Sequence, residues 1–330
     1  MRVSKKKEKL LITGAGGFIG GHLVKYFKKQ GYSTIRAVDI KPTSQWHQLD
    51  NEAENITLDL SNKDNCYQAV KGIDEVYNLA SNMGGMEFIE NNKADCMLNV
   101  LINTHLLMAA RDEDVNRYFF SSSACVYSTN KQKSSRNPGL KESDVYPAMP
   151  EDGYGWEKLF SERMCRHFKE DFGLNTYVAR FHNVYGPYGA YNGGREKAPA
   201  ALSRKAIEAQ IAISNEIEIW GDGQQTRSFM YIEDCVKGID LIVHSDIEQP
   251  INLGSSEMVT INQLVKIIEK IVGINFKKNY VLDAPKGVRG RSSDNTLIKQ
   301  LLDWEPSTPL KTGMGKTYEW IYKEMKKNLK

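Results

Sequence analysis

An α/β fold, a doubly wound parallel sheet with a smaller α/β lobe attached, is what this sequence predicts, and two regularities predict it. The first half alternates short apolar runs with helix-length patterns: KLLITGA, GGHLVKYFKKQG, STIRAVDI, NITLDL, CYQAVKG, DEVYNLA, a long helical pattern over 94–112, and RYFFSSS. Strands alternating with helices imply βαβ units, and right-handed crossovers then wind the helices over both faces of a parallel sheet. The chain of 330 residues is also long for a single core. After NTYVARFHNVYG the alternation loosens. The expected division is a cofactor-binding domain over 1–185 and a substrate-binding lobe over 186–330, with the chain returning to the first domain around 230–253.

The later elements follow from the same patterns. A helix is expected over 198–210, a short strand in PINLG, and an amphipathic helix in TINQLVKIIEKIVG with Thr260 as its N-cap. A charged amphipathic helix over 311–327 closes the pattern.

Composition excludes several classes of function. Hydrophobic and charged fractions of 41% and 26% are ordinary for a soluble globular protein, and a net charge of +3 is too small for a nucleic-acid binder. The basic stretch MRVSKKKEK leads into LLITGAGGFIG, where glycines interrupt the apolar run, so it reads as the solvated approach to a strand rather than a signal peptide. No window approaches the roughly 20 apolar residues of a membrane span. Five scattered cysteines with no C-x-x-C pair suggest reduced thiols, a cytoplasmic protein and no metal site.

The stretch ITGAGGFIG sets Gly14, Gly17 and Gly20 directly after an apolar strand and at the head of a helix that opens with Phe18 and Ile19. Glycines at this spacing allow a tight turn and a close approach of backbone to a pyrophosphate, while the helix N-terminus offers unpaired N–H groups. About 20 residues on, Asp39 ends the second strand, where a carboxylate binds a ribose 2′-OH and repels a 2′-phosphate. This is the Rossmann pattern with NAD favoured over NADP, although Arg36 and Lys41 stand close in sequence. Asp59 with Leu60, and Asn78 with Leu79, end the next two strands on the same edge of the sheet.

YGWEK places Tyr154 and Lys158 at i and i+4 of a helix, so the two side chains share a face. An ammonium beside a phenol lowers its pKa toward neutrality and fits it for proton transfer. With the glycine turn and with Ser123 about 30 residues upstream, the chain resembles the extended short-chain dehydrogenase/reductase family, the nucleotide-sugar epimerases and dehydratases. The resemblance implies Ser123, Tyr154 and Lys158 as the triad that moves a hydride and a proton at a sugar hydroxyl, with Lys158 also holding the nicotinamide ribose.

Longer strings resemble the branch of that family that epimerises GDP-mannose at C3 and C5: NLASNMGGMEFIENN, SSACVY, LKESD, RFHNVYGPYG, GGREKAPAA, WGDGQQTRSF and GVRGRSSDN. A cysteine in an apolar stretch is usually a small core residue. The resemblance instead makes Cys125 of SSAC and Lys197 of GGREK an acid/base pair. It implies Gly84, Gly85 and Met86 as a loop against the sugar, although Glu87 stands where glycine is expected, and Asn183 as a hydrogen-bonding group. Lys205, Arg227 and Arg289 or Arg291 would meet the diphosphate, and Trp220 and Gln225 would shape the nucleotide site. The implied partners are GDP-mannose or a related GDP-sugar and a second copy of the chain, packed through helices 94–112 and 154–170. Two other readings stay open: another GDP-sugar enzyme on the same scaffold, such as a GDP-manno-heptose epimerase or a C4 dehydrogenase, and a non-catalytic NAD-binding regulatory protein.

Overall fold

The computed structural model describes residues 6–285 and 287–327. The first five residues of the basic lead-in lie outside them. The strands are β1 (Lys6–Thr13), β2 (Tyr32–Asp39), β3 (Glu54–Thr57), β4 (Glu75–Asn78), β5 (Arg117–Ser123), β6 (Thr176–Phe181), β7 (Val184–Tyr185), β8 (Glu216–Trp220), β9 (Thr226–Ser228), β10 (Met230–Tyr231), β11 (Ile251–Leu253), β12 (Met258–Thr260), β13 (Lys277–Val281) and β14 (Gly290–Arg291). The helices are α1 (Phe18–Lys29), α2 (Lys63–Val70), α3 (Met86–Asn91), α4 (Lys93–Met97), α5 (Asn99–Asp112), α6 (Tyr154–Phe172), α7 (Ala198–Ile211), α8 (Ile232–Val243), α9 (Ile261–Val272), α10 (Thr296–Leu302) and α11 (Leu310–Lys327).

Seven strands form one parallel sheet in the order β11-β6-β5-β4-β1-β2-β3. Its centre is covered on both faces. In β1, Leu10 and Ile12 enter one apolar cluster while Leu11 enters the other, because successive side chains of a strand point to opposite faces. A strand buried on both sides reads as a continuous apolar run, which is why KLLIT stands out in the sequence.

Register brings the chemistry to one edge. Thr13 at the end of β1 is level with Val38 of β2 and Asn78 of β4, and Ser123 at the end of β5 is level with Phe181. The turns after β1, β2, β4 and β5 therefore open along a common carboxyl edge, where ligands of doubly wound sheets bind. The rest of the chain folds over that edge with small sheets, β10-β7, β12-β9-β14 and β13-β8. Between them the chain turns back, packing α8 on α1 and adding β11 alongside β6, with Ile251 level with Ala179.

Two local details carry physical reasons. The single helix expected over 94–112 is broken at Leu98 into α4 and α5. Asn99 donates its side-chain amide to the carbonyls of Cys96 (2.8 Å) and Asn82 (3.1 Å), and accepts from the Asn82 N–H (2.7 Å). The side chain thus competes for a helix carbonyl while fastening the loop above it. Thr260 does cap α9: its hydroxyl accepts from the Gln263 N–H (3.0 Å) and the Gln263 side chain accepts from the Thr260 N–H (2.7 Å).

Candidate active site

The dinucleotide end is built mainly from backbone. Between β1 and α1 the chain turns through Gly14, whose φ of +68° belongs to the left-handed region, and a Cβ there would lie 2.9 Å from the Leu79 carbonyl. At Gly20 a Cβ would come within 2.2 Å of the Gly14 carbonyl oxygen. These contacts bring the turn hard against β4 and α1, and Gly17 caps α1 without any side chain over the helix end. Phe18 and Ile19 pack partly buried against the core.

Asp39 orders the neighbouring turn. One carboxylate oxygen accepts from the Gly16 N–H (3.0 Å), the other from the Lys41 N–H (2.9 Å). Arg36 is turned away: its guanidinium pairs with Glu54 (2.8 Å) and donates to the carbonyls of Ala69 (2.8 Å) and Lys71 (3.0 Å). Asp59 is exposed, Leu60 is buried below it, and Leu79 borders the glycine turn. The glycine cradle, the uncapped helix terminus and the acid at the end of β2 fit NAD. Tyr154 and Lys158 stand farther along the same edge.

Ser123 ends β5, and its hydroxyl accepts from the N–H of Cys125 (3.2 Å) in the 3-10 turn Ala124–Val126. Tyr154 opens α6 and packs in one buried cluster with Cys125, Cys96 and Ile89. One turn on, Lys158 is only 2% exposed, its ammonium 4.7 Å from the ring centre of Phe120 and 5.5 Å from that of Tyr154. The expectation that Lys158 brings the phenol toward neutrality is corrected here. Burial pushes the Tyr154 phenol well above its usual value, the charges of Cys125 and Glu157 push the same way, and the Ser123 hydrogen bond pulls it down. Burial is the main reason, and Glu157, whose carboxylate lies 3.7 Å from the Lys158 ammonium, adds to it by offsetting that charge.

Across from the phenol the side chains come from distant segments. Arg291 on β14 donates through Nη1 to Cys125 Sγ (3.6 Å), through Nε to Gln132 (2.6 Å) and through Nη2 to Glu151. Burial pushes the Cys125 thiol up to about 11, with the Glu151 charge acting in the same direction and Arg291 opposing. Lys197, at the N-cap of α7, is partly buried; burial pulls its ammonium below the usual range while the Cys125 charge pulls it up. Gly84 and Gly85, with Met86 opening α3, form a stretch zipped onto the segment before Lys197. The Gly85 N–H donates to the Arg195 carbonyl (3.0 Å), and the Arg195 guanidinium lies 3.8 Å from the ring centre of Phe88. Met86 also packs against Gly287.

The cations expected at one diphosphate fall into two groups. Lys205 pairs with Glu218 (2.7 Å), which also accepts from the Trp220 indole (2.9 Å), and Arg289 pairs with Asp222 (2.8 Å). Gln225 donates to the Trp220 carbonyl (2.7 Å), completing that group around β8. Arg227 and Arg291 instead stand level on paired strands, and burial together with Arg291 pulls the Arg227 guanidinium down to about 10. Arg291 is therefore placed against the thiol rather than beside Arg289. Asn183, held at a φ of +44°, donates to the Ser228 carbonyl (3.0 Å). Sequence reasoning missed Glu151, Gln132 and Glu157, which in sequence look like ordinary solvated loop or helix residues.

The family model of the NAD dependent epimerase/dehydratase family matches residues 10–254. The chain belongs to that family. Among members of the NAD dependent epimerase/dehydratase family, it is 44% identical to GDP-mannose 3,5-epimerase 1 of Oryza sativa subsp. japonica, over 98% of this chain and 84% of that one. It is 42% identical to GDP-mannose 3,5-epimerase of Arabidopsis thaliana, over 97% and 83%. In the family fold it is similar to UDP-glucuronic acid 4-epimerase of Bacillus cereus, solved with UDP-glucuronic acid and NAD, at a TM-score of 0.80 and 26% identity over 96% of this chain and 99% of that one. UDP-glucose 4-epimerase of Thermotoga maritima shares the fold at a TM-score of 0.87. The family's cofactor is NAD. Among the described residues, no group of His, Cys, Asp and Glu could hold a metal ion, and no helix is long and apolar enough to cross a membrane.

Proposed function

We propose that this protein is a GDP-mannose 3,5-epimerase, converting GDP-mannose to GDP-L-galactose or GDP-L-gulose by passing through a ketone at C4. The observation that carries the reading is the pairing of a buried thiol with a lysine around the end of α6. Cys125 packs with Tyr154 in one cluster, and the charge of Cys125 acts on Lys197 although the residues lie far apart in sequence. A sugar enzyme that exchanges only the C4 configuration has no use for such a pair. The two plant relatives named 3,5-epimerases support the same conclusion.

NAD, when bound, supplies the hydride acceptor and donor for C4. The protein's own groups do the proton work. Tyr154, hydrogen-bonded to Ser123, is placed to take and return the proton of the C4 hydroxyl as a phenolate, a form that Lys158 beneath it and the positive nicotinamide of bound NAD would favour against burial. Hydrogens next to a carbonyl are acidic, so groups on either face of the sugar can remove and return them with inversion. Cys125, held up to about 11, rests as the proton-bearing partner, and Lys197, pulled below the usual lysine range, is drawn toward the form that accepts a proton. The stretch around Gly84–Met86 covers the sugar, and Lys205 and Arg289, grouped around β8, serve the diphosphate.

Incubation with GDP-mannose in heavy water, followed by proton NMR, tests this directly. Deuterium is expected at C3 and C5, and is expected to vanish in Cys125→Ala and Lys197→Ala. No incorporation from GDP-mannose would transfer the reading to another GDP-sugar such as GDP-manno-heptose, or to a C4 dehydrogenase.

The same proposal includes a homodimer in the cytoplasm. Met97, Leu98 and Leu101 around α5, and Trp156 and Phe160 on α6, are exposed large apolar side chains on two helices that pack together. A second copy would cover them. All five cysteines are free, which suits a reducing compartment.

A further inference from the structure

Glu151 lies in the loop before α6 and has no part in the chemistry so far, yet three features place it at the thiol. Its backbone N–H donates to the Cys125 carbonyl (3.0 Å), which fixes the loop under the 3-10 turn. One of its carboxylate oxygens holds the Nη2 edge of Arg291, whose Nη1 edge meets Cys125 Sγ at 3.6 Å. The other oxygen, Oε2, is buried without a nitrogen or hydroxyl donor, and a side-chain hydrogen bond links the carboxylate to the Cys125 thiol itself. A buried carboxylate exerts its charge on its neighbours with little screening by solvent.

We propose that Glu151 is a positioning residue for the acid/base thiol: it holds the Arg291 guanidinium edge-on to the sulfur and, by offsetting that positive charge, keeps Cys125 protonated between turnovers. The inference rests on the reading of Cys125 as a working acid/base group. Guanidinium geometry explains the first half. Gln132 takes Nε (2.6 Å) and Glu151 takes Nη2, so the planar fork has its rotation fixed and only one edge is left for the sulfur.

Charge explains the second half. An arginine alone beside a buried thiol would favour the thiolate and leave a permanent ion pair with no proton to donate. Among the described residues, the groups that act on or with the sulfur are Arg291 from β14, Arg227 from β9, Lys197 before α7, Tyr154 from α6, the Ser123 hydroxyl at the end of β5, and the carboxylate of Glu151. Burial, the largest single effect, holds the Glu151 carboxyl back from ionising, but the charges of Arg291 and Arg227 and the hydrogen bonds from Arg291 and Cys125 together outweigh it, so the acid stays charged below its usual range. Glu151 is thus the charge that keeps the proton on the thiol at rest.

Alkylation of Cys125 by iodoacetamide, followed peptide by peptide by mass spectrometry in the NAD-bound protein, tests this without any sugar. Glu151→Gln keeps the shape and an acceptor for Arg291 but removes the charge. Alkylation of Cys125 at pH 8 is expected to rise at least about threefold, since a lower thiol pKa raises the thiolate fraction faster than it reduces nucleophilicity. Glu151→Asp, which keeps the charge, is expected to stay near the parent rate. Cys96, buried in the same cluster, reports loosening of the fold. A Cys125 rate unchanged in Glu151→Gln, or Cys96 rising in step with it, would overturn the inference. Arg291→Gln probes the same couple from the other side and is expected to slow Cys125; an equal or faster rate would count against it. Absence of deuterium exchange in the parent protein would refute the epimerase reading while leaving the alkylation result standing, so the two failures are distinguishable.

Discussion

The two ends of the active-site edge are built on opposite principles. At the dinucleotide end a nine-residue stretch, ITGAGGFIG, makes nearly the whole cradle, and what it offers is main chain: N–H groups, a helix terminus and close approach allowed by missing side chains. At the thiol end the groups offered are side chains, and Cys125, Gln132, Glu151, Lys197 and Arg291 arrive from separate segments. A backbone site tolerates little change of shape at any one position. A side-chain site can be retuned one charge at a time.

The largest expected effect lies where the two ends meet. Tyr154→Phe keeps the buried ring but removes its proton, so turnover is expected to fall about 10³-fold, equivalent to about 4 kcal/mol of barrier. Its circular dichroism and bound NAD should match the parent. Loss of NAD along with activity would mean that the phenol belongs to the cradle instead, and the contrast between the ends would blur.

Gly20→Ala comes next and attacks the cradle alone. A methyl 2.2 Å from the Gly14 carbonyl oxygen has to displace backbone, costing about 2 kcal/mol by analogy with overpacked cores, together with most of the NAD retained on purification. Thermal unfolding and cofactor absorbance read both. A variant that unfolds and binds NAD like the parent would show that the turn has slack.

Asp39→Ala is smaller. Removing the acid frees the N–H groups of Gly16 and Lys41 and lifts the repulsion of a 2′-phosphate, so the preference for NAD over NADP is expected to shrink about tenfold, close to 1.4 kcal/mol. Titration with both dinucleotides measures it. Because Arg36 is already committed to Glu54 and to carbonyls near the end of α2, no new phosphate partner is expected from it.

The smallest effect lies below both ends, at the amino edge of the sheet. His244 is raised to about 10 by hydrogen bonds to Asp240 and Glu75, above its ordinary 6.5. A raised folded pKa means that the folded state binds the proton more tightly, so this contribution is complete below pH 6.5 and is lost as pH rises through about 10. Melting temperature against pH should therefore sag on the alkaline side, and His244→Ala should flatten that sag without altering cofactor preference.

What could be read in advance divides along the same line. The parallel sheet, the glycine turn and the Tyr154–Lys158 pair are legible because each is a local pattern: a period, a spacing, or one turn of helix. Thr260 is legible for the same reason, since its cap is closed by Gln263 three residues on. Glu151 is not, because its environment is set by Arg291, and nothing within the stretch PEDGYG distinguishes a buried acid from a solvated one. The break at Leu98 escaped for a related reason. The helical period runs through it, and what marks the break is the Asn99 side chain, which takes the Cys96 carbonyl while tying to Asn82.

The strand β11 has a consequence for how the molecule is made. It pairs with β6, but about 70 residues of lobe are translated between them, several seconds of synthesis at ordinary rates. Until it emerges from the ribosome, β6 is a bare edge carrying Val178 and Ala179, a natural template for pairing with a stranger. The nascent cofactor half thus waits for its own successor, and a fragment ending at 185 would carry that open edge for good. Expressed alone, it should need a chaperone that the full chain needs only in passing.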